Sequence, residues 1–182
     1  MFIYIDKTTK EIKCVAEKSS IVIENTEVVE FKGHVPEEPT NYKFMDGNFI
    51  LNENKVLKKI KQEKIHEINK IAQEKIVSGF ISNALGSSHL YQSEPTDQLN
   101  LLSVVQTAQL TNENQPFKCS PDNGKTWEYK EHTPEQLAQV LKDGKNIKIA
   151  ILEKANQLKQ QVKNATSIKE VKLITWEGER YE

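Results

Sequence analysis

Residues 79–102 read GFISNALGSSHLYQSEPTDQLNLL, and the fold turns on how that stretch is taken. Gly79 precedes a β-favouring Phe80-Ile81, the turn formers Ser82-Asn83 follow, and Leu85-Gly86-Ser87-Ser88 lead into His89-Leu90-Tyr91. This is the pattern of a short hairpin. Ser93-Glu94-Pro95-Thr96 then reads as a helix entry, with Thr96 as N-cap and Asp97 in the first turn. Leu99, Leu101, Leu102, Val105 and Ala108 supply the apolar stripe of that helix.

Upstream, Leu57, Ile60, Ile65, Ile68, Ile71, Ala72 and Ile76 recur at three- to five-residue steps among lysines and glutamates. The period predicts an amphipathic helix from Asn54 to just before Gly79. Lys64 and Glu67 interrupt the heptad seam, so docking onto its own domain is favoured over an obligate coiled coil. The chain thus runs helix, hairpin, helix.

Downstream, Asn112 to Pro116 ends the second helix, and Pro121-Asp122-Asn123-Gly124 lies between Phe117-Lys118-Cys119 and Trp127-Glu128-Tyr129. Asn-Gly after Pro-Asp between aromatic-bearing strands is a strong hairpin signal. Thr133-Pro134-Glu135-Gln136 opens a third helix, with Thr133 as N-cap, Pro134 at the first helical position and Gln136 completing a capping box. Leu137, Val140, Leu141, Ile147, Ile151, Leu152, Ala155, Leu158 and Val162 carry its stripe to Asn164, and Gly144 is either a break or a tolerated glycine. Thr166 to Glu170 recaps a short last helix running to Trp176, and residues 177–182 read as a frayed polar tail.

The first 52 residues have another character. Phe2 to Ile5 and Ile12 to Ala16 form a hairpin pattern, Ile21-Val22-Ile23 and Val28 to Phe31 add one or two strands, and Phe44 to Leu51 makes another hairpin about Asp46-Gly47-Asn48. Pro36 and Pro39 mark a linker between them. The expected fold class is therefore α+β: a small β-rich module over residues 1–52, then a helix-dominated domain over 54–176 with hairpins near 79–91 and 117–129.

Composition narrows the function classes. Of the 182 residues 28% are charged and 37% apolar, with a net charge of -1. That balance disfavours a long disordered chain and a nucleic-acid binder. Charge is uneven, with six lysines against ten acids in residues 1–53 and seven lysines against three acids in 54–77, as a solvated helix face would give. No run is apolar and long enough for a membrane span, and Met1-Phe2-Ile3-Tyr4 lacks a basic leader, so neither a membrane segment nor a signal peptide is expected. Cys14 and Cys119 lie far apart without a CxxC, which fits a reducing cytoplasm.

Chemistry-bearing motifs are weak. Glu63 and His66 form one Glu-x-x-His step where a di-iron bundle needs two such steps and two further Glu. Cys119 with His89 or His132 as base is the conceivable nucleophile, but a cysteine in a strand beside Phe117 is more often a small buried hydrophobe. No glycine-rich phosphate loop occurs. The expectation is a non-enzyme without catalytic residues, cofactor or metal. Phe80, His89, Tyr91, Trp127 and Tyr129 concentrate on the two hairpins, and together they would make a partner-binding surface if exposed; the alternative is that they pack onto the helices.

Gly79-Phe80, Ala84-Leu85-Gly86, His89-Leu90-Tyr91, Asp97 to Leu101, Trp127 before His132 to Gln136, and Ala165-Thr166 to Ile174-Thr175-Trp176 follow one another in an order that resembles a phage-encoded domain family of unknown function, the tail fibre assembly-like proteins. The likeness runs from about Glu63 to Trp176, and the lead-in from Tyr42 to Val56 is similar to that of other tail-associated proteins. The resemblance implies a chaperone-like role for a phage tail-fibre or tail protein in the host cytoplasm. A structural component of the virion tail and a host-interaction protein are the alternatives, and a homo-oligomer is a further partner candidate. It carries over no catalytic residue.

Overall fold

The computed structural model describes residues 1–19 and 21–176; the expected frayed tail at 177–182 lies outside the described residues. The fold is α+β, with N-terminal strands followed by helices and short hairpins. It divides into two compact units, Met1–Glu63 and Lys64–Glu182.

In the first unit β1 (Phe2–Asp6) lies between β2 (Ile12–Ala16) and β3 (Thr26–Glu30), both antiparallel to it. Alternation puts Ile3 and Ile5 on one face, where they join Ile12 and Phe44 in a core flanked by Phe31, Tyr42 and Phe49. The ring centroids of Phe31 and Phe49 lie 5.3 Å apart and those of Phe44 and Phe49 5.1 Å apart, with edge-to-face geometry. The expected strand at Ile21-Val22-Ile23 does not form. The buried Tyr4, on the opposite face of β1, donates its hydroxyl to the Lys18 carbonyl and accepts from the Ile21 N–H, both at 3.3 Å. That phenol takes the N–H a ladder would have used, and Val22 is left 95% exposed.

The hairpin of β4 (Tyr42–Met45) and β5 (Asn48–Leu51) closes through Asp46 and Gly47, both at positive φ, the two-residue turn that suits strand twist. Helix α1 (Glu53–Val77) starts where expected, but its first turns count with the N-terminal unit rather than with the helical one. The contacts explain this: Asn52 donates to the Glu11 carboxylate at 2.8 Å, and Lys59 pairs with Glu38 at 3.1 Å.

In the second unit β6 (Phe80–Ser82) pairs with β7 (His89–Tyr91), as the opening stretch predicts. Helix α2 (Pro95–Thr111) begins two residues earlier than Thr96 would place it. Glu94 is the N-cap, and Glu94 and Asp97 form a reciprocal capping box around Pro95, the residue type best suited to the first helical position. Strands β8 (Gln115–Cys119) and β9 (Glu128–His132) form the second hairpin, and Leu90 and Ser120 exchange backbone hydrogen bonds of 2.8 and 2.9 Å that tie the two hairpins together.

Helix α3 (Pro134–Asn164) is capped as expected, with the Gln136 N–H donating to Thr133 Oγ1 and the Thr133 N–H to the Gln136 side chain. It runs unbroken through Gly144. The glycine is there for space: a Cβ at this position would stand 2.8 Å from Phe80 Cζ. Beside it Ser82 Oγ donates to Asp143 Oδ2 at 2.6 Å, so α3 is pinned to β6 at the point of closest approach. The main core joins Phe80, Tyr91, Leu101, Val105, Ala108, Cys119, Leu137 and Val140. After the short α4 (Ile168–Leu173), capped by Ser167, the buried Trp176 is flanked by Lys75 and Lys154, whose ammonium groups lie 5.9 and 5.6 Å from its ring.

Candidate functional site

The five aromatic and histidine positions proposed as one binding surface do not form one. Phe80, His89 and Tyr91 are buried, Trp127 is half-buried and Tyr129 alone is largely open, at 73%. Their placement follows from strand alternation. Phe80 and Tyr91 are cross-strand partners facing the helices, where their rings stack at 5.7 Å, while Tyr129 lies on the outer face of β9. Trp127 sits under the Lys118 ammonium, 5.7 Å from its ring.

Beneath the hairpins lies a small polar cluster. His132, fully buried, has Nδ1 2.7 Å from the Lys130 carbonyl, which can only accept, so Nδ1 carries the proton. Its Nε2 is then the acceptor for the Tyr91 hydroxyl at 2.9 Å. Burial pushes the imidazole below its usual range and the Tyr91 phenol above its own. Cys119 is closed off from solvent and its thiol is pushed up, again chiefly by burial. A nucleophilic cysteine needs the opposite environment. Both candidate bases are also engaged, for His89 bonds the Ser87 carbonyl through Nδ1 and meets Lys130 Nζ at 3.3 Å through Nε2. The Glu63-His66 step lies on an exposed part of α1, and among the described residues no group of three or more His, Cys, Asp or Glu is placed to hold a metal.

The structure offers a different site. A groove of about 830 Å³ opens between the N-terminal half of α2 and the middle of α3, with the last turn of α1 closing one end. Phe80 and Leu101 form its floor. Leu99 and Leu102 stand on one wall, Ile147, Ile151 and Leu152 on the other. Leu99 is 67% exposed, Leu102 43% and Leu152 43%, so the expected stripe of α2 splits, with Leu101, Val105 and Ala108 in the core and Leu99 and Leu102 left to solvent. Helix α3 behaves likewise: between Val140 and Ala155 it has no fully buried residue, although that span includes Ile147, Ile149, Ile151 and Leu152.

The rim is polar and ordered. The Ser93 hydroxyl donates to the Ile76 carbonyl, Gln98 Nε2 donates to the Ser93 carbonyl at 2.8 Å, and Lys148 Nζ donates to Gln98 Oε1 at 3.0 Å, joining α1, α2 and α3. Lys145 and Lys148 are the charged residues of the lining, which contains no acid. Of the five positions proposed from the sequence only Phe80 contributes to this groove. The signal that could have found the rest is excess apolar width: Leu99-Asn100-Leu101-Leu102 and Ile147 to Leu152 cover more of a helix circumference than one buried stripe can use.

Residues 59–175 match the family model described as Domain of unknown function (DUF4376). No curated protein and no solved structure matches the chain. Among the described residues, no helix is long and apolar enough to cross a membrane.

Proposed function

Starting from a chain that belongs to the DUF4376 family, whose description assigns no function, we propose that this protein is a non-enzymatic assembly factor that seats an apolar segment of a phage tail-fibre protein in the α2–α3 groove and works in the host cytoplasm. One observation carries the reading: Leu99, Leu102, Ile147 and Leu152 remain open to solvent around a preformed apolar floor. Such a contiguous patch costs solubility unless a partner covers it. The order of small motifs from Gly79 to Trp176, which resembles tail fibre assembly-like proteins, supports the choice of partner.

Coexpression tests it. A phage tail-fibre protein coexpressed with this chain is expected to be soluble and trimeric with the wild type and to lose most of that yield with the double variant Leu102→Asp and Ile151→Asp, which alters the groove while leaving the core residues in place. An equally soluble trimer in the absence of this chain overturns the reading, and so does full activity of the double variant. The separate N-terminal unit favours a second reading, a component retained in the virion tail through residues 1–63. Mass spectrometry of purified particles separates the two, because a stoichiometric amount of this chain is expected only in the second.

A further inference from the structure

We propose that the groove's occupant is a helix of about three turns from another protein, apolar on the side it buries and acidic along its edge. The inference rests on the groove being the partner site and adds what the partner must present.

Backbone chemistry selects a helix. The walls are side chains of α2 and α3, whose own backbone groups are paired within each helix, so an extended segment lying against Leu99, Leu102, Ile151 and Leu152 would bury N–H and C=O groups with no ladder to receive them. A helix brings its hydrogen bonds with it. The length follows from the α3 wall, which runs from Leu141 to Leu152 and spans roughly 16 Å at the rise of an α-helix. That length fits apolar anchors at i, i+4 and i+7.

Charge selects the edge and excludes a second copy. Among the described residues Lys145 makes no ion pair and Lys148 is held only by the neutral Gln98. With no acid in the lining, a second copy meeting this one groove to groove would bring these ammonium groups no carboxylate from its own groove. Glutamates flanking the partner's apolar face would meet both ammonium groups.

The test uses the full chain and three labelled 14-residue peptides followed by fluorescence anisotropy. Two share one leucine face and are edged with glutamate or with lysine; the third is the glutamate peptide with two central prolines. The acidic helix is expected to bind about tenfold tighter than the lysine helix, the scale of two exposed charge pairs. The double variant Lys145→Glu and Lys148→Glu is expected to invert that order, and the proline peptide to lose binding. Equal affinity of the two helices, failure of all three to bind, undiminished binding by the proline peptide, or a groove-dependent homodimer each overturns the proposal. If the charge variants leave the peptides unaffected while Leu102→Asp with Ile151→Asp abolishes fibre assembly, the acidic-helix inference falls and the groove reading stands. If the apolar double variant has no effect on assembly, the functional reading itself falls.

Discussion

Gly79→Val is expected to cost the C-terminal unit a large share of its stability. Gly79 joins the end of α1 to β6 with φ at +99°, beyond the small left-handed region that side-chain-bearing residues tolerate and a severe outlier for a β-branched one. A Cβ there would lie 2.7 Å from the Tyr91 carbonyl oxygen and 3.2 Å from Leu90 Cδ1. The carbonyl cannot yield, because Tyr91 is paired with Phe80 across the hairpin and is fully buried. Backbone strain of about 1–3 kcal/mol and a packing clash of about 1–3 kcal/mol act together. Their sum is a large share of the roughly 5–15 kcal/mol that holds a domain folded. Gly86→Ala is the control: φ is also positive, at +82°, yet nothing lies within 4 Å of the added methyl, so strain acts alone. Thermal melts followed by circular dichroism should place Gly79→Val well below Gly86→Ala. Coincident melts would mean that the approach to Tyr91 does not constrain the fold.

The second large effect is acid destabilisation through His132. The native state holds this imidazole neutral, with Nδ1–H given to the Lys130 carbonyl and Nε2 receiving the Tyr91 hydroxyl. Burial is the main cause of its lowered proton affinity, His89 and Lys130 act in the same direction, and the Lys130 carbonyl and Glu131 oppose them. The unfolded chain takes up a proton near 6.5 and the native state does not. Stability from this group is therefore complete above pH 6.5 and declines as pH falls from there toward the lowered native value, by up to about 1.4 kcal/mol per pH unit. Urea titrations between pH 7.5 and 5.5 should show that decline, and His132→Gln, which keeps a polar partner for Tyr91, should flatten it. An unchanged slope in the variant would assign the acid sensitivity to other groups. His132→Ala should lose about 3 kcal/mol at pH 7.5, since it opens a cavity and leaves the buried Tyr91 hydroxyl unpaired.

Both effects depend on residues whose meaning in the sequence was partial. The hairpin around Gly79 to Tyr91 could be read because Gly, Ser and Asn punctuate two short β-favouring runs, and Thr133-Pro134-Glu135-Gln136 because a capping box is complete within four residues. The same kind of local chemistry was misplaced at Thr96: Glu94 and Asp97 form the box, and acids at those positions look like ordinary first-turn charge until the reciprocal bonds are seen. Ile21-Val22-Ile23 has the composition of a strand and lost the role to the Tyr4 hydroxyl, seventeen residues away from Ile21.

The candidate site was less legible than the fold. Tyr129 and Tyr91 are the same residue type on neighbouring hairpins, yet one is open and the other is sealed beneath the helices. Leu101 and Leu102 are adjacent leucines, one in the core and one on the groove wall. Helical period says only that two such neighbours point about 100° apart. Which direction is covered depends on where α3 lies.

Apart from the run at Ile21-Val22-Ile23, the amino-acid sequence by itself determined the order and type of the elements, because caps, turns and hydrophobic period act over three to seven neighbouring residues, where the chain's own stiffness sets the outcome. Tertiary structure alone decided which apolar faces were left over. Gly144 lets α3 come close enough to touch Phe80, Ser82 and Asp143 hold it there across sixty-one residues, and Tyr91 closes on His132 across forty-one. Those contacts consume one side of α2 and the N-terminal end of the α3 stripe, and the groove is the apolar surface that this packing leaves uncovered among the described residues.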